Sequence, residues 1–153
     1  MTMSSVLKQG VQVDVELSLP VQTLWDALLN LENVAPKISL DLSHKLLKGN
    51  GGVGSISLMQ FADGRYEKER VDSVDYRTHT LVSTVIAQES AKGFNQYTKT
   101  MALSPARDGT TTIARWRAEC APTTDGSSPV STASDYALAV FKALENYLTE
   151  NSS

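Results

Sequence analysis

Residues 48–56 read KGNGGVGSI and contain four of the nine glycines in this chain of 153 residues. By letters alone, residues 49–54 satisfy the G-x-G-x-x-G fingerprint of dinucleotide-binding folds, in which a helix N-terminus holds pyrophosphate. That fingerprint requires a helix directly after the loop, whereas residues 55–61 read SISLMQF, a strand-like composition without a helix cap. The segment therefore predicts a glycine-rich hairpin between two strands and argues against a Rossmann domain.

The glycine-rich loop allows two interpretations. A tight connection between strands requires positive φ at several residues, which glycine adopts without steric cost. The exposed N–H groups of such a loop can also form a nest that binds an anion. Both interpretations involve the same residues, Gly49, Asn50, Gly51, Gly52 and Gly54.

Period-two patterns on both sides of this loop predict strands. Residues 11–17 read VQVDVEL and residues 97–103 read YTKTMAL, and such alternation is typical of strands with one buried face. Turn-forming residues separate the strand segments, and they stand at 62–64 (ADG), 75–77 (DYR) and 107–109 (RDG).

Two segments are predicted to be helical. Residues 24–29 (LWDALL) follow Ser18 as an N-cap and Pro20 near the first turn, and Pro36 is expected to end this part. A longer amphipathic helix is expected to begin at residues 128–129 (SP) and to run almost to the C-terminus. The order strand, short helices, six strands and long helix predicts an α+β fold with an antiparallel sheet that needs a cover.

Length and composition limit the classes of function. We expect one domain over residues 1–153, and the net charge of −3 argues against a nucleic-acid partner. No apolar run approaches the roughly 20 residues that span a bilayer, so no membrane partner is expected. The lone Cys120 cannot form an intramolecular disulfide, which favours a cytoplasmic location.

A single covering helix has a consequence for the interior. Such a helix is only about 10–12 Å wide, so it closes the ends of a curved seven-stranded sheet better than the middle. The architecture is therefore compatible with an internal cavity, which is a typical ligand site, and also with a solidly packed core.

Four segments of the chain resemble the birch-pollen-allergen (Bet v 1) family, the intracellular pathogenesis-related class ten proteins of plants. They are the glycine-rich loop, residues 32–37 (ENVAPK), residues 66–75 (YEKERVDSVD) and residues 145–148 (ENYL). The resemblance implies the helix-grip fold of the START-like superfamily: a seven-stranded curved antiparallel sheet wrapped around a long C-terminal helix, with two short helices after the first strand and an internal hydrophobic cavity.

The same resemblance, together with strand parity, implies a set of residues that face the cavity. The set can be a ligand envelope or ordinary core packing, and Tyr66, Tyr97, Ser83 and Lys99 would supply its hydrogen bonds. Its members are Leu28, Met59, Phe61, Tyr66, Leu81, Ser83, Val85, Tyr97, Lys99, Met101, Tyr136 and Val140.

Lys99 is the most informative charged residue. On an inward face beside Tyr97 and Met101, its ammonium would be partly desolvated, and we expect its pKa to be lowered. It would then bind a carboxylate or carbonyl group, or take part in acid–base chemistry with Tyr97. If the strand parity is reversed, Lys99 lies in solvent.

The last predicted strand contains a conflict of register. The family register sends Arg115 and Arg117 inward, whereas hydrophobicity sends Trp116 inward with Ala114 and Ala118. A slip of one residue exchanges the two faces, and hydrophobicity favours Trp116 inside.

Other motifs are less specific. His44 and His79 have no Cys, Asp or Glu at ligand spacing, so neither a metal nor another cofactor is expected. Residues 67–70 (EKER) alternate in charge, which is typical of cross-strand ion pairs. The loop at 88–95 lacks the pattern of the related abscisic-acid receptors.

These observations lead to one functional hypothesis and two alternatives. We expect non-covalent binding of small hydrophobic or amphipathic ligands, such as cytokinins, flavonoids or other phenolics, sterols or fatty acids, in a storage, transport or defence-related role. The first alternative is a condensing or isomerising enzyme of specialised metabolism, similar to norcoclaurine synthase, which would use Lys99 or Tyr97. The second is a weak ribonuclease. A monomer or weak dimer is expected.

Overall fold

Seven antiparallel strands form one sheet, and a C-terminal helix packs against it. The computed structural model describes residues 9–38, 42–61, 64, 66–88, 97–120 and 133–150. The strand order across the sheet is β1-β7-β6-β5-β4-β3-β2. The elements in chain order are β1 (Gln9–Leu17), α1 (Val21–Leu29), α2 (Leu31–Val34), a 3₁₀ turn (Ala35–Lys37), β2 (Leu42–Lys48), β3 (Ile56–Phe61), β4 (Tyr66–Asp75), β5 (Thr80–Gln88), β6 (Tyr97–Pro105), β7 (Thr112–Cys120) and α3 (Ala133–Glu150). The predicted α+β helix-grip architecture is confirmed.

The helix α3 packs against β1, β7 and α1. Its Phe141 and Leu144 are buried in one apolar cluster with Leu17, Leu24 and Trp25. The buried cluster therefore joins α3 to the β1–β7 side of the sheet.

The short helices begin and end differently from the prediction. Ser18 is not an N-cap: Pro20 holds that position with an extended backbone, and no side chain caps α1. The backbone N–H of Ser18 instead donates to the Glu145 carboxylate at 2.7 Å, which ties the end of β1 to α3. Pro36 lies inside the 3₁₀ turn, where the missing N–H of proline is tolerated at the first turn. The predicted helix start at 128–129 lies outside the described residues.

Two of the three predicted turns are present in the described part of the chain. The carboxylate of Asp75 accepts hydrogen bonds from the N–H groups of Arg77 and Thr78, and these bonds hold the pKa of Asp75 below its ordinary value. Asp108 plays the same part between β6 and β7. The turn predicted at 62–64 falls largely outside the described residues.

The register of β7 agrees with hydrophobicity. Trp116 is 7% exposed and lies opposite Val13 of β1 and Met101 of β6. Arg115 and Arg117 are exposed, and their partners are Asp14 at 3.2 Å and Glu119 at 2.9 Å. The inward arginines implied by the family register are therefore wrong for this strand, because apolar side chains take the buried positions.

Among the described helices, none combines the length and the apolar composition that crossing a bilayer requires.

Candidate functional site

The interior face of the sheet, on which α3 packs, is defined at its centre by β5. Ser83 lies between Val71 of β4 and Lys99 of β6, and Val85 lies between Glu69 and Tyr97. Directly opposite residues of neighbouring antiparallel strands project from the same face. These six side chains therefore share the interior face, and Ser83 and Val85 are 8% and 0% exposed.

Small side chains on β5 allow long ones from β4 and β6 to meet above them. The Lys99 ammonium lies 2.5 Å from the Glu69 carboxylate, and the Ser83 hydroxyl donates to the same carboxylate at 3.3 Å. The Tyr97 hydroxyl donates to the carboxylate of Glu67. We call these five residues the polar cluster.

The polar cluster is largely withdrawn from solvent. The side chains of Lys99 and Glu69 are only 14% and 12% exposed, and Tyr97 is 2% exposed. Burial by itself lowers the pKa of Lys99, but the carboxylates of Glu69 and Glu67 outweigh it and raise the pKa above the ordinary value. The lowered pKa predicted from desolvation alone is therefore wrong, and Lys99 is a cation at neutral pH.

Sequence reasoning missed Glu67 and Glu69. Their parity places them with Val71 on the interior face, while Tyr66, Lys68 and Arg70 project to the other face. The interior position predicted for Tyr66 is therefore wrong, since Glu67 takes it. Val71 is an apolar residue at the same parity, so it could have shown which face of β4 is the interior one. A bulge between Val71 and Ser73 interrupts the alternation, and the apolar pattern therefore does not continue along the strand.

Most of the other predicted residues lie on the interior face of the sheet or contact the core from the helices. Met59 and Met101 are buried, at 9% and 7% exposure, and Leu28, Leu81 and Val140 are half-buried against the core. The side chains of Phe61 and Tyr136 lie outside the described part of the structure. Met59, Leu81 and Met101 thus share the interior face of the sheet with the polar cluster.

The two histidines lie in different surroundings. His44 of β2 is opposite Met59 of β3 and therefore lies on the interior face. His79 lies in the turn before β5 with a φ of 53°, and its ring is 5.3 Å from that of Trp25. Among the residues that the structure describes, no three His, Cys, Asp or Glu side chains converge in a way that would hold a metal ion.

Three backbone N–H groups of the glycine-rich loop donate hydrogen bonds within the protein. The N–H of Gly51 donates to the Ser55 hydroxyl at 2.9 Å, and the N–H of Gly52 donates to the Asn50 side chain at 3.0 Å. The N–H of Gly54 donates to the carbonyl of Val71 at 2.8 Å. These three donors are engaged within the protein, which weakens the anion-nest interpretation and favours a fixed connection.

A separate groove of about 350 Å³ lies on the surface between the 3₁₀ turn and α3. Its lining includes Lys37, Lys142 and Tyr147. None of the predicted ligand-binding residues contributes to it, so it is distinct from the interior face.

The chain is similar in sequence and in fold to known proteins. The chain is 26% identical over 150 residues to an MLP-like protein of Arabidopsis thaliana, MLP-like protein 423, and the match covers 94% of this chain and 96% of the relative. Its fold is similar to that of major latex-like protein 151 of Panax ginseng, with a TM-score of 0.80 at 13% identity, over 92% of this chain and 97% of that one.

A third similarity is to norcoclaurine synthase of Thalictrum flavum, with a TM-score of 0.79 at 17% identity, over 95% of this chain and 88% of that one. At such low identities the two structures show a shared fold alone. The family model named Pathogenesis-related protein Bet v 1 family matches residues 6–151. The chain therefore belongs to the Bet v 1 family.

Proposed function

We propose that this protein binds small amphipathic molecules non-covalently between the interior face of the sheet and α3. The Bet v 1 family is known for binding hydrophobic ligands, and the chain belongs to it. Cytokinin-like hormones, flavonoids or other phenolics, sterols and fatty acids share the required chemistry, an apolar body with few polar groups. We also propose a storage, transport or defence-related role for a single-domain protein in the cytoplasm.

The observation that carries the proposal is the polar cluster on a mostly apolar interior face. Ligand sites in proteins combine mostly apolar walls with a few convergent polar groups. The lining offers Met59, Val85 and Met101 as wall, and the Lys99–Glu69 pair as polar group. Burying a charged pair in a solid core is often no more favourable than packing apolar side chains there. A role in orienting a ligand gives the pair a reason to be present.

Partial exposure of inward side chains supports the same conclusion. Leu28, Leu81 and Val140 contact the core yet remain only half-buried. Among the described residues, the most extensive contacts of α3 with the sheet are with β1 and β7, at one side. We therefore place the ligand against these half-buried side chains, where burial of its apolar surface contributes about 25 cal/mol per Å².

Titration with the fluorescent, uncharged probe N-phenyl-1-naphthylamine tests the proposal. We expect a saturable signal that an unlabelled apolar competitor displaces. A Leu81→Trp variant should reduce binding at least several-fold, because the indole fills space on the interior face. Leu47→Trp is the matched control, since Leu47 is 44% exposed at the bulge of β2.

Two results would overturn the proposal. One is the lack of any displaceable signal in the unmodified protein. The other is equal loss of binding in both tryptophan variants while far-ultraviolet circular dichroism shows both to be folded.

Catalysis is the second candidate function. The observation that favours it is that Lys99 and Tyr97 are each bonded to a glutamate on the interior face, an arrangement that can hold or move a proton. The raised pKa of Lys99 keeps its amine protonated, so it can act as a hydrogen-bond donor and a positive charge rather than as a nucleophile. For any substrate whose turnover is detected, Lys99→Ala should remove activity, and unchanged turnover would exclude this lysine.

A further inference from the structure

His44 is a polar residue on the mostly apolar interior face. The proposed function gives it no role. Its partner in the β2–β3 register is Met59, and Met59 in turn lies opposite Glu67. The imidazole therefore projects to the same side as the polar cluster, two strands away from Glu67. The short helix α2 packs against β2 and brings Glu32 into its electrostatic surroundings.

One nitrogen of this imidazole is buried without a partner. Within the described part of the protein, Nδ1 of His44 is the side-chain polar atom that is buried and makes no hydrogen bond. Buried polar side-chain atoms are hydrogen-bonded in the large majority of cases, and each exception calls for an explanation. Leaving such a group unpaired is unfavourable, and a ligand that supplies the missing hydrogen bond recovers that loss.

We propose that His44 is a ligand-anchoring residue, whose Nδ1 forms a hydrogen bond with a hydroxyl group of an amphipathic ligand lying against Met59. This inference rests on the proposed function and narrows it to a chemical class, the alcohols and phenols. The apolar body of the ligand lies along the wall of the interior face, and the hydroxyl group is directed toward β2 and α2.

The choice of a hydroxyl group follows from the chemistry of imidazole. Burial lowers the pKa of His44 despite the carboxylates of Glu69 and Glu32, and Lys99 acts in the same direction as burial. The ring is therefore neutral at neutral pH, with one nitrogen a donor and the other an acceptor. A hydroxyl group both donates and accepts, so it satisfies Nδ1 in either tautomer. An ether satisfies only one tautomer and a hydrocarbon neither.

A pair of matched probes tests the inference. 2-Naphthol and 2-methylnaphthalene have the same aromatic body and differ in the single group that can form a hydrogen bond. Binding of 2-methylnaphthalene tests the proposed function by itself. At neutral pH we expect 2-naphthol to bind about tenfold more tightly, since one additional neutral hydrogen bond typically contributes that factor.

Three variants locate the origin of that preference. His44→Phe retains an aromatic ring of similar size and should reduce the preference to less than about twofold. His79→Asn removes the other imidazole, and asparagine tolerates the left-handed backbone found there; it should keep the preference. Lys99→Met tests whether the hydroxyl group binds to the polar cluster instead.

A spectroscopic readout leaves His44 itself unchanged, so it does not depend on the folding of His44→Phe. The chain has two histidines, so long-range ¹H–¹⁵N spectra of imidazole-labelled protein contain two ring systems, and His79→Asn assigns them. Addition of 2-naphthol should shift the Nδ1 resonance of His44, and 2-methylnaphthalene should shift it much less. His79 should respond to neither probe.

The outcomes separate this inference from the function on which it rests. If neither probe binds, both fail together. If 2-methylnaphthalene binds but 2-naphthol is no tighter, or if its preference survives His44→Phe and disappears in Lys99→Met, the role of His44 is wrong while the ligand-binding function stands. An unchanged Nδ1 resonance at saturation with 2-naphthol overturns the inference in the same way.

Discussion

The Lys99–Glu69 pair is the residue-scale feature whose energetics are most informative. With both side chains less than 15% exposed, each charge depends on the other to offset its desolvation. Lys99→Met should therefore lower the free energy of unfolding by about 3 kcal/mol, because it leaves Glu69 without its ammonium partner. Urea denaturation followed by circular dichroism measures the change.

The double variant is the control for this prediction. Lys99→Met combined with Glu69→Leu removes both charges, and it should recover most of the stability lost in Lys99→Met alone. If the free energies of unfolding lost in Lys99→Met alone and in Glu69→Leu alone instead add up in the double variant, the pair is not coupled as the structure indicates.

His44 gives a prediction for the pH dependence of stability. Burial lowers the pKa of His44 in the folded protein below the ordinary value of 6.5. The carboxylates of Glu69 and Glu32 oppose this shift, and the charge of Lys99 acts in the same direction as burial. As the pH falls below 6.5, the unfolded chain takes up this proton before the folded chain does, so the free energy of unfolding falls. His44→Phe should make that fall shallower between about pH 7 and about pH 5.

Urea denaturation across that pH range measures the effect, and His79→Asn serves as the control for the loss of one of the two imidazoles. Identical slopes for the His44→Phe variant and the unmodified protein would show that His44 titrates alike in the folded and unfolded chains.

At the residue scale, parity identified Tyr97, Met101 and Lys99 on the interior face, but it did not reveal the partners of Lys99. Glu69 lies on a strand separated from β6 by the whole of β5. Contacts across an intervening strand depend on how small its side chains are, here Ser83 and Val85. The spacing of residues within one strand does not reveal a contact of this kind.

At the scale of elements, the glycine-rich loop connects β2 and β3 through three residues with positive φ. A Cβ on Gly49 would lie 2.4 Å from the Ser55 hydroxyl oxygen and 2.9 Å from its Cα, whereas nothing lies within 4 Å of a Cβ on Gly51. Gly51→Ala should cost about 1 kcal/mol from backbone strain alone, and Gly49→Ala clearly more. Equal losses in thermal or urea unfolding would contradict the packing of this loop.

Registers were predicted well where apolar residues mark them and poorly where a bulge intervenes. In β7, the alternation of Trp116 with two arginines decided the faces correctly. In β4, the bulge after Val71 moves the inward position to Val74, opposite Leu81. The sequence of β4 therefore shows no simple alternation, and Tyr66 was predicted on the wrong face.

At the scale of the whole molecule, the order of elements and the turn residues predicted an α+β fold with an antiparallel sheet, and the resemblance to the Bet v 1 family supplied the helix-grip arrangement. Local periodicity and turn chemistry are encoded within short windows of sequence. Whether the sheet encloses space depends on how α3 meets all seven strands, which no short window encodes. The ligand-binding function therefore needs a measurement that reports directly on the interior.

Methyl spectra of methionine give that measurement. The chain has four methionines, and Met59 and Met101 lie buried on the interior face, so ¹³C-methyl labelling places two reporters there, assigned by Met→Leu variants. If the protein binds apolar ligands in its interior, titration with 2-methylnaphthalene will shift both resonances and saturate at one ligand per chain. If both resonances stay unchanged at the solubility limit of the ligand, the interior does not admit it and the central claim is wrong.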